Sequence, residues 1–396
     1  MAILIYAGLR SSAIYPAATP EVSWHPGFLN IGDVLLMAGM FIDGCRRRFT
    51  MRVGVFAMLA YGVFILSLSF FNTRFPQGAF FDGLLCWFRF AAVFTWTLWV
   101  ARRVGQRAVE AILILVFFVT ATSALFVSSL TVGFYRMFGS AMSVASFAQL
   151  VTAVALIALV RCRPWVLAIA LVYLVLTFSN TCWVSFCLLA VLLFAMSKPT
   201  DSRGGYGKAL LIVLGLVIAT WALAPQLASQ HYPVDRVFSS GSYQDLNGRT
   251  SIWNYGLSLA QDHQFSWLGN GYNTSPSVLA AFGVPADAGR FVAPSSFHNI
   301  ELELAWGLGA PALFFGGLLV HRIVSSYLHR RQLSLVLFSL FAITQTVDFT
   351  FCTPKALLIW AIILGIAEAA YQAETPPIRA LPQLTQPFPR NEFVTC

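Results

Sequence analysis

Residues 141–160 read AMSVASFAQLVTAVALIALV, twenty positions without a charge, and Arg161 and Arg163 follow at once. A bilayer-spanning helix needs roughly 20 predominantly apolar residues, and a basic flank is what cytoplasmic loops carry. The same unit recurs along the chain. Apolar runs fall near 28–44, 51–71, 79–100, 108–128, 141–160, 164–179, 181–197, 209–225, 299–320, 333–351 and 354–371. Between them sit short basic clusters: Arg46, Arg47, Arg48 and Arg52; Arg102, Arg103 and Arg107; Arg161 and Arg163; Lys198, Arg203 and Lys208; Arg322, Arg330 and Arg331. Residues 1–18 are the candidate for a twelfth span, weakened by Arg10, Pro16 and Pro20. With it the N-terminus is cytoplasmic, and without it the N-terminus is outside; the other loops alternate the same way in both cases.

Composition agrees with that pattern. Of 396 residues, 58% are apolar and 10% charged, against about 45–50% and about 25% in soluble domains. Mean hydropathy is +0.73. So few charges cannot cover a soluble surface, and continuous apolar runs are helices rather than barrel strands. The expected fold is an all-α polytopic membrane protein with about 11–12 transmembrane helices. The start, Met1–Leu9, is apolar without a basic lead, so a signal peptide is not expected. The net charge of +9 lies in the interhelical clusters, which argues against a nucleic-acid partner. Seven cysteines lack metal-ligand spacing and read as small hydrophobes. The pair of runs at 164–179 and 181–197 is short enough to be half-buried or re-entrant. No internal repeat is visible.

One segment breaks the alternation. Gln226 to His298 is 73 residues long and falls outside the cytoplasm by topology. The chain therefore divides into N-terminal helices at 1–225, a loop at 226–298, C-terminal helices at 299–371 and a proline-rich, disordered cytoplasmic tail at 372–396. A loop of this length is commonly functional. It holds Arg236, Arg249, Arg290, His231, His263 and His298, with aromatic and glycine punctuation at Trp267–Leu268–Gly269–Asn270–Gly271–Tyr272.

Two clusters in it carry candidate chemistry. In Asn247–Gly248–Arg249–Thr250–Ser251–Ile252–Trp253, Gly248 suits a turn and Thr250 or Ser251 can cap a helix. Arg249 and Trp253 are four apart and share its face. A guanidinium beside a helix N-terminus grips phosphate well; the plainer alternative is an interfacial arginine paired with a lipid headgroup or with Asp245. The second cluster is Ser295–Ser296–Phe297–His298–Asn299–Ile300–Glu301. A carboxylate three residues from an imidazole can fix its tautomer and raise its basicity. The plainer alternative has Glu301 and Glu303 complementing the helix dipole, with His298 an interfacial polar residue. On spacing alone that alternative is favoured. Within the spans, Asp33, Asp82 and Glu110 are near enough to ends to reach water, and Asp348 is a fourth acid there. Arg89 lies two turns after Asp82 and is a candidate to pair with a carboxylate or line a cavity, and Arg136 in an outside loop is a further candidate phosphate contact. No nucleotide, dinucleotide, zinc-protease or serine-hydrolase motif occurs, so any chemistry draws on a substrate already activated in the membrane.

The order Gly248–Arg249–Thr250–x–x–Trp253, Leu268–Gly269–Asn270–Gly271, His298–Asn299 and Trp306–Gly307–Leu308–Gly309 resembles the O-antigen ligase and Wzy-type polysaccharide polymerase superfamily. The resemblance implies a GT-C-like fold with one long periplasmic loop, and a metal-independent inverting glycosyltransferase of the bacterial inner membrane that needs no cofactor. Its donor would be an undecaprenyl-pyrophosphate-linked glycan, and other polysaccharide assembly proteins are possible partners. Polymerases of this kind extend exopolysaccharide or O-antigen, whereas ligases transfer the glycan to lipid A–core. Arg249 and His298 match the phosphate-gripping and acceptor positions and are the expected catalytic pair. Arg290, Arg236, Arg136, Trp253, Asn299 and Glu301 are the expected substrate contacts. Ser179–Asn180–Thr181 has Asn where relatives carry a second Arg, which tilts the expectation from ligase towards polymerase. A lipid-linked glycan flippase or transporter is the non-enzyme alternative, disfavoured because transporters keep their polar groups near the midplane.

Overall fold

The computed structural model describes residues 77–131, 144–177, 179–196, 249–271, 274–279, 284–286, 290–292, 297–347 and 354–373, with the single positions Val63 and Gly215. The expected spans at 28–44, 51–71 and 209–225, and the tail beyond Ala373, lie outside the described residues. So do Asp33 and Asp348.

The described chain is helical apart from one small hairpin. Among the described residues, five whole helices come before the long loop: α1 (Gln77–Val104), α2 (Gln106–Thr131), α3 (Val144–Val160), α4 (Pro164–Thr177) and α5 (Asn180–Met196). The loop contributes α6 (Arg249–Gln261), α7 (Ser275–Leu279) and the antiparallel strands β1 (Val284–Ala286) and β2 (Arg290–Val292). Then come α8 (Ile300–Leu308), α9 (Ala312–Leu328), α10 (Gln332–Val347) and α11 (Pro354–Ala373). Each apolar run in this part of the sequence except 299–320 is a helix, with ends a few residues from those expected. Among the described residues α11 alone is long and apolar enough to cross a bilayer by length and composition.

The bundle is built around α3, α10 and α11, which touch one another, while α1, α2, α4, α5 and α9 pack outside them. Trp360 of α11 is fully buried and donates its indole N–H to Gln149 Oε1 of α3 at 2.9 Å. Gly365 lets α11 approach α1, since a Cβ there would lie 2.6 Å from Thr97 Cγ2. Three buried hydroxyls are satisfied within their own helices: Thr120, Thr152 and Thr344 each donate to the carbonyl four residues back. On α5 the exposed residues Val184, Leu188 and Val191 recur at helical spacing opposite the buried Phe186, Leu189 and Leu193, so the helix is half-buried and apolar on both faces.

The basic clusters among the described residues gather at one end of this bundle. Arg161, in the turn after α3, pairs with Glu110 of α2 at 2.6 Å. Glu110 is fully buried, which corrects the expectation that it reaches water. Arg102 of α1 donates to Gln372, Arg322 of α9 pairs with Glu368 of α11, and Arg331 donates to the Tyr371 carbonyl. The turns themselves are tight. After α3 the N–H of Arg163 bonds the Ala158 carbonyl, and after α9 the N–H of Arg331 bonds that of Ser326. Cys162 and Arg330 take the left-handed conformation that such helix ends require.

The expected span at 299–320 is not one helix. It breaks at Gly309–Pro311, where Gly309 has φ +66° and donates its N–H to Ala305. Nine residues of α8 measure about 13.5 Å, under half of a hydrocarbon core of about 30 Å. Asn299 and Glu301 both bond Thr346 near the C-terminus of α10, and α9 packs against α10 after a short turn. Both ends of α8 therefore lie at the same end of the bundle, opposite the arginine cluster. It belongs to a cap with α6 and α7.

Candidate active site

The cap is made from two glycine motifs that clasp each other. The N–H groups of Asn270 and Gly271 donate to the carbonyls of Trp306 and Gly307 at 2.7 and 3.1 Å. Ala310 N–H returns a bond to the Trp267 carbonyl at 2.9 Å. Gly269 has φ +79°, and a Cβ on it would sit 2.1 Å from the Gly307 oxygen. Only glycine permits that backbone approach. Around the clasp, Trp306 Nε1 donates to Thr274 Oγ1, and the Asn270 side chain donates to the Gln264 carbonyl. The spacing of the two motifs in the sequence is thus the two sides of one contact.

A small apolar core lies under it: Ile252 of α6, Leu279 of α7, Phe297 just before α8 and Trp306 of α8, with Tyr255, Phe265 and Leu302 against them. Burying the Phe297 ring contributes roughly 2–3 kcal/mol. Gly256 admits that ring, since a Cβ there would meet Phe297 Cδ1 at 3.1 Å. These contacts bring the first expected cluster to the second. Ile252 lies one turn after Arg249, the first residue of α6, and Phe297 immediately precedes His298. Arg249, Trp253 and His298 are all half-buried. His298 takes the left-handed conformation, φ +54°, just before Asn299 caps α8 by accepting the Leu302 N–H. The indole N–H of Trp253 is buried and has no hydrogen-bond acceptor among the described residues.

The remaining expected contacts divide. The Asn299 amide is engaged at both ends, accepting from Leu302 and donating to the Thr346 carbonyl. Glu301 is exposed and accepts the Thr346 hydroxyl at 2.7 Å. Arg290 begins β2, paired with Ala286. Arg236 and Arg136 lie outside the described residues. Arg89 is buried in α1.

Glu303, which the sequence offered only as a dipole partner, is the carboxylate at the centre of the cap. It is buried, and it accepts the Phe297 N–H at 2.7 Å and the Ser275 hydroxyl at 2.8 and 2.9 Å. Burial pushes its carboxyl up to about 7, against the two hydrogen bonds that favour the charged form. The signal for it was its face: Ile300, Glu303 and Gly307 follow helical spacing on the buried side of α8. Glu303 ties α7 to the residue before His298 and so holds the turn that carries the imidazole.

Below α8 opens an apolar cavity of about 790 Å³. Trp87 and Phe90 of α1, Leu304 of α8 and Phe341 of α10 line it, and it extends to Arg322 and Glu368 at the far end.

A helical bundle with a polar cap over an apolar cavity suits an enzyme that works on a substrate with an apolar tail. Residues 165–315, from α4 to the start of α9, match the family described as O-antigen ligase. Members of this family are membrane proteins that transfer glycosyl groups. No curated relative matches the chain.

Proposed function

We propose that the chain is a multi-pass glycosyltransferase of the bacterial inner membrane that polymerises undecaprenyl-pyrophosphate-linked repeat units into exopolysaccharide or O-antigen. The observation that carries this reading is the family match over 165–315, the stretch whose cap joins α6 to the His298 turn. The basic end of the bundle faces the cytoplasm by the positive-inside rule, which turns the cap to the periplasm. The polyprenyl tail of the donor lies in the cavity below α8, and its pyrophosphate meets Arg249 at the start of α6. There the guanidinium and the helix N-terminus offset charge developing on the leaving pyrophosphate. Trp253 presents its indole N–H to a substrate oxygen. His298 accepts the proton of the attacking acceptor hydroxyl, the glycosidic bond forms with inversion, and undecaprenyl pyrophosphate leaves. No metal takes part in this scheme. Holding two lipid-bound reactants on one surface supplies much of the remaining acceleration. The loop at 226–298 and the first part of 299–371 act together as the working unit.

Ligation to lipid A–core is the second reading, favoured by the description of the matched family and opposed by Asn180. The length distribution of undecaprenyl-linked glycans in a strain lacking this gene separates the two. Single repeat units accumulate if polymerisation has stopped; long lipid-linked chains beside bare lipid A–core accumulate if ligation has. Complementation with His298→Ala should reproduce the deletion at normal protein level, and full activity of that variant would remove the general base.

A further inference from the structure

The cap carries an exposed apolar knob, which the catalytic reading uses only where Leu313 and Phe314 also line the cavity below α8. Trp267 is 83% exposed and Leu268 43%, in the turn before the Gly269 clasp. Beside them, at the start of α9, Leu313 is 79% exposed and Phe314 49%. The knob is rigid, because the Trp267 carbonyl takes the Ala310 N–H and a Cβ on Gly309 would sit 2.2 Å from that same oxygen. An exposed Trp on a floppy loop would have little meaning, but this one is fastened by its backbone to the top of a bundle helix.

What covers it follows from α9. Leu313, Val320, Val324 and Leu328 are exposed along that helix at intervals of seven, four and four residues, forming one apolar stripe, of which Leu313 and Val320 also line the cavity below α8. The stripe ends at the far side in His329, Arg330 and Arg331. Seventeen residues rise about 25 Å, close to the thickness of a hydrocarbon core. In a membrane protein such a stripe faces lipid tails. Trp267 continues it past the outer end of α9, at the depth where a ring that is apolar in body and polar at its N–H is most at home.

We infer that Trp267, with Leu268, Leu313 and Phe314, docks the cap onto the phospholipid headgroup region of the outer leaflet, fixing the height of the cap relative to the bilayer surface. This rests on the chain being a membrane protein and not on the reaction it performs, so failure of the polymerase reading leaves it standing. Full-length chain and its Trp267→Phe variant, reconstituted in phosphatidylcholine vesicles, give a difference emission that belongs to Trp267. The expected difference emission is blue-shifted from that of indole in water. It loses more intensity to lipids brominated near the carbonyl end of the chain than to those brominated near the methyl end, and little to iodide. Strong loss to iodide with none to either bromolipid would overturn the inference by placing the knob in water. A blue shift that appears only at high protein-to-lipid ratio, without bromolipid quenching, would overturn it in favour of a second copy of this chain. Equal elution volume of the two proteins in detergent checks that the variant is folded.

Discussion

The two ends of the bundle each bury a glutamate and neutralise it in different ways. At the arginine-rich end Glu368 receives two bonds from the Arg322 guanidinium and one from Gln372, and Arg322 and Arg331 each stand 4.3 Å from the Tyr371 ring. At the cap Glu303 receives a hydroxyl and a backbone N–H, and its carboxyl is pushed up to about 7 instead. The first arrangement uses its arginines against its own acids. The second spends no arginine on its buried acid. Closed charge on one side suits an anchor, and a neutral frame on the other suits a site.

The largest way to break this contrast is through backbone. Gly269→Ala forces a side chain at φ +79° into the Gly307 carbonyl, where no flexible group can give way. A loss on the order of 3 kcal/mol is expected, read as a lower melting temperature and loss of glycan transfer. An unchanged melting temperature would show that the clasp is not a structural unit.

A conditional effect comes next. Because the folded carboxyl of Glu303 lies above its ordinary 4.5, the folded state holds this proton more tightly than the unfolded state does. The stabilisation is full below about 4.5 and is lost as pH rises through about 7. Glu303→Gln keeps an acceptor for Phe297 N–H and a donor for the Ser275 oxygen at every pH. The melting temperature of the wild type should fall across that window while that of the variant falls less. Identical slopes would assign the pH dependence to other groups.

How far this was readable in advance differs between the two ends as well. The basic turns are visible because charge interrupts apolar runs, and their positions followed directly. Helix ends at 77–104 and 354–373 lie within four residues of those expected, because the apolar periodicity is long there. The break at Gly309–Pro311 was hidden, since Leu308 and Ala312 continue the same apolar pattern on either side of it. Arg249 and His298 stood out by residue type and motif. Glu303 did not, because a carboxylate in the first turn of a helix usually faces water; its burial depends on Ser275, 28 positions away. Glu301 had the better spacing to His298 and instead meets Thr346, a partner on another helix that local spacing cannot reveal.

The smallest expected effect lies at the anchor. Glu368→Gln leaves Arg322 with the Tyr371 face and partial solvent, its side chain being 24% exposed. Losing a charge-assisted pair of that exposure costs on the order of 1–2 kcal/mol. Arg322→Gln should cost a similar amount, and the double variant less than the sum of the two, because each single change strands a partner that the double change removes. Melting temperatures of the four proteins measure that coupling. Glycan transfer should persist in all of them, because the cavity between this end and the cap is lined mainly by apolar side chains. A coupling near zero would make Glu368 a bystander to Arg322. Loss of transfer without loss of stability would mean that the arginine end takes part in binding the substrate, and the division of labour between the two ends would fall.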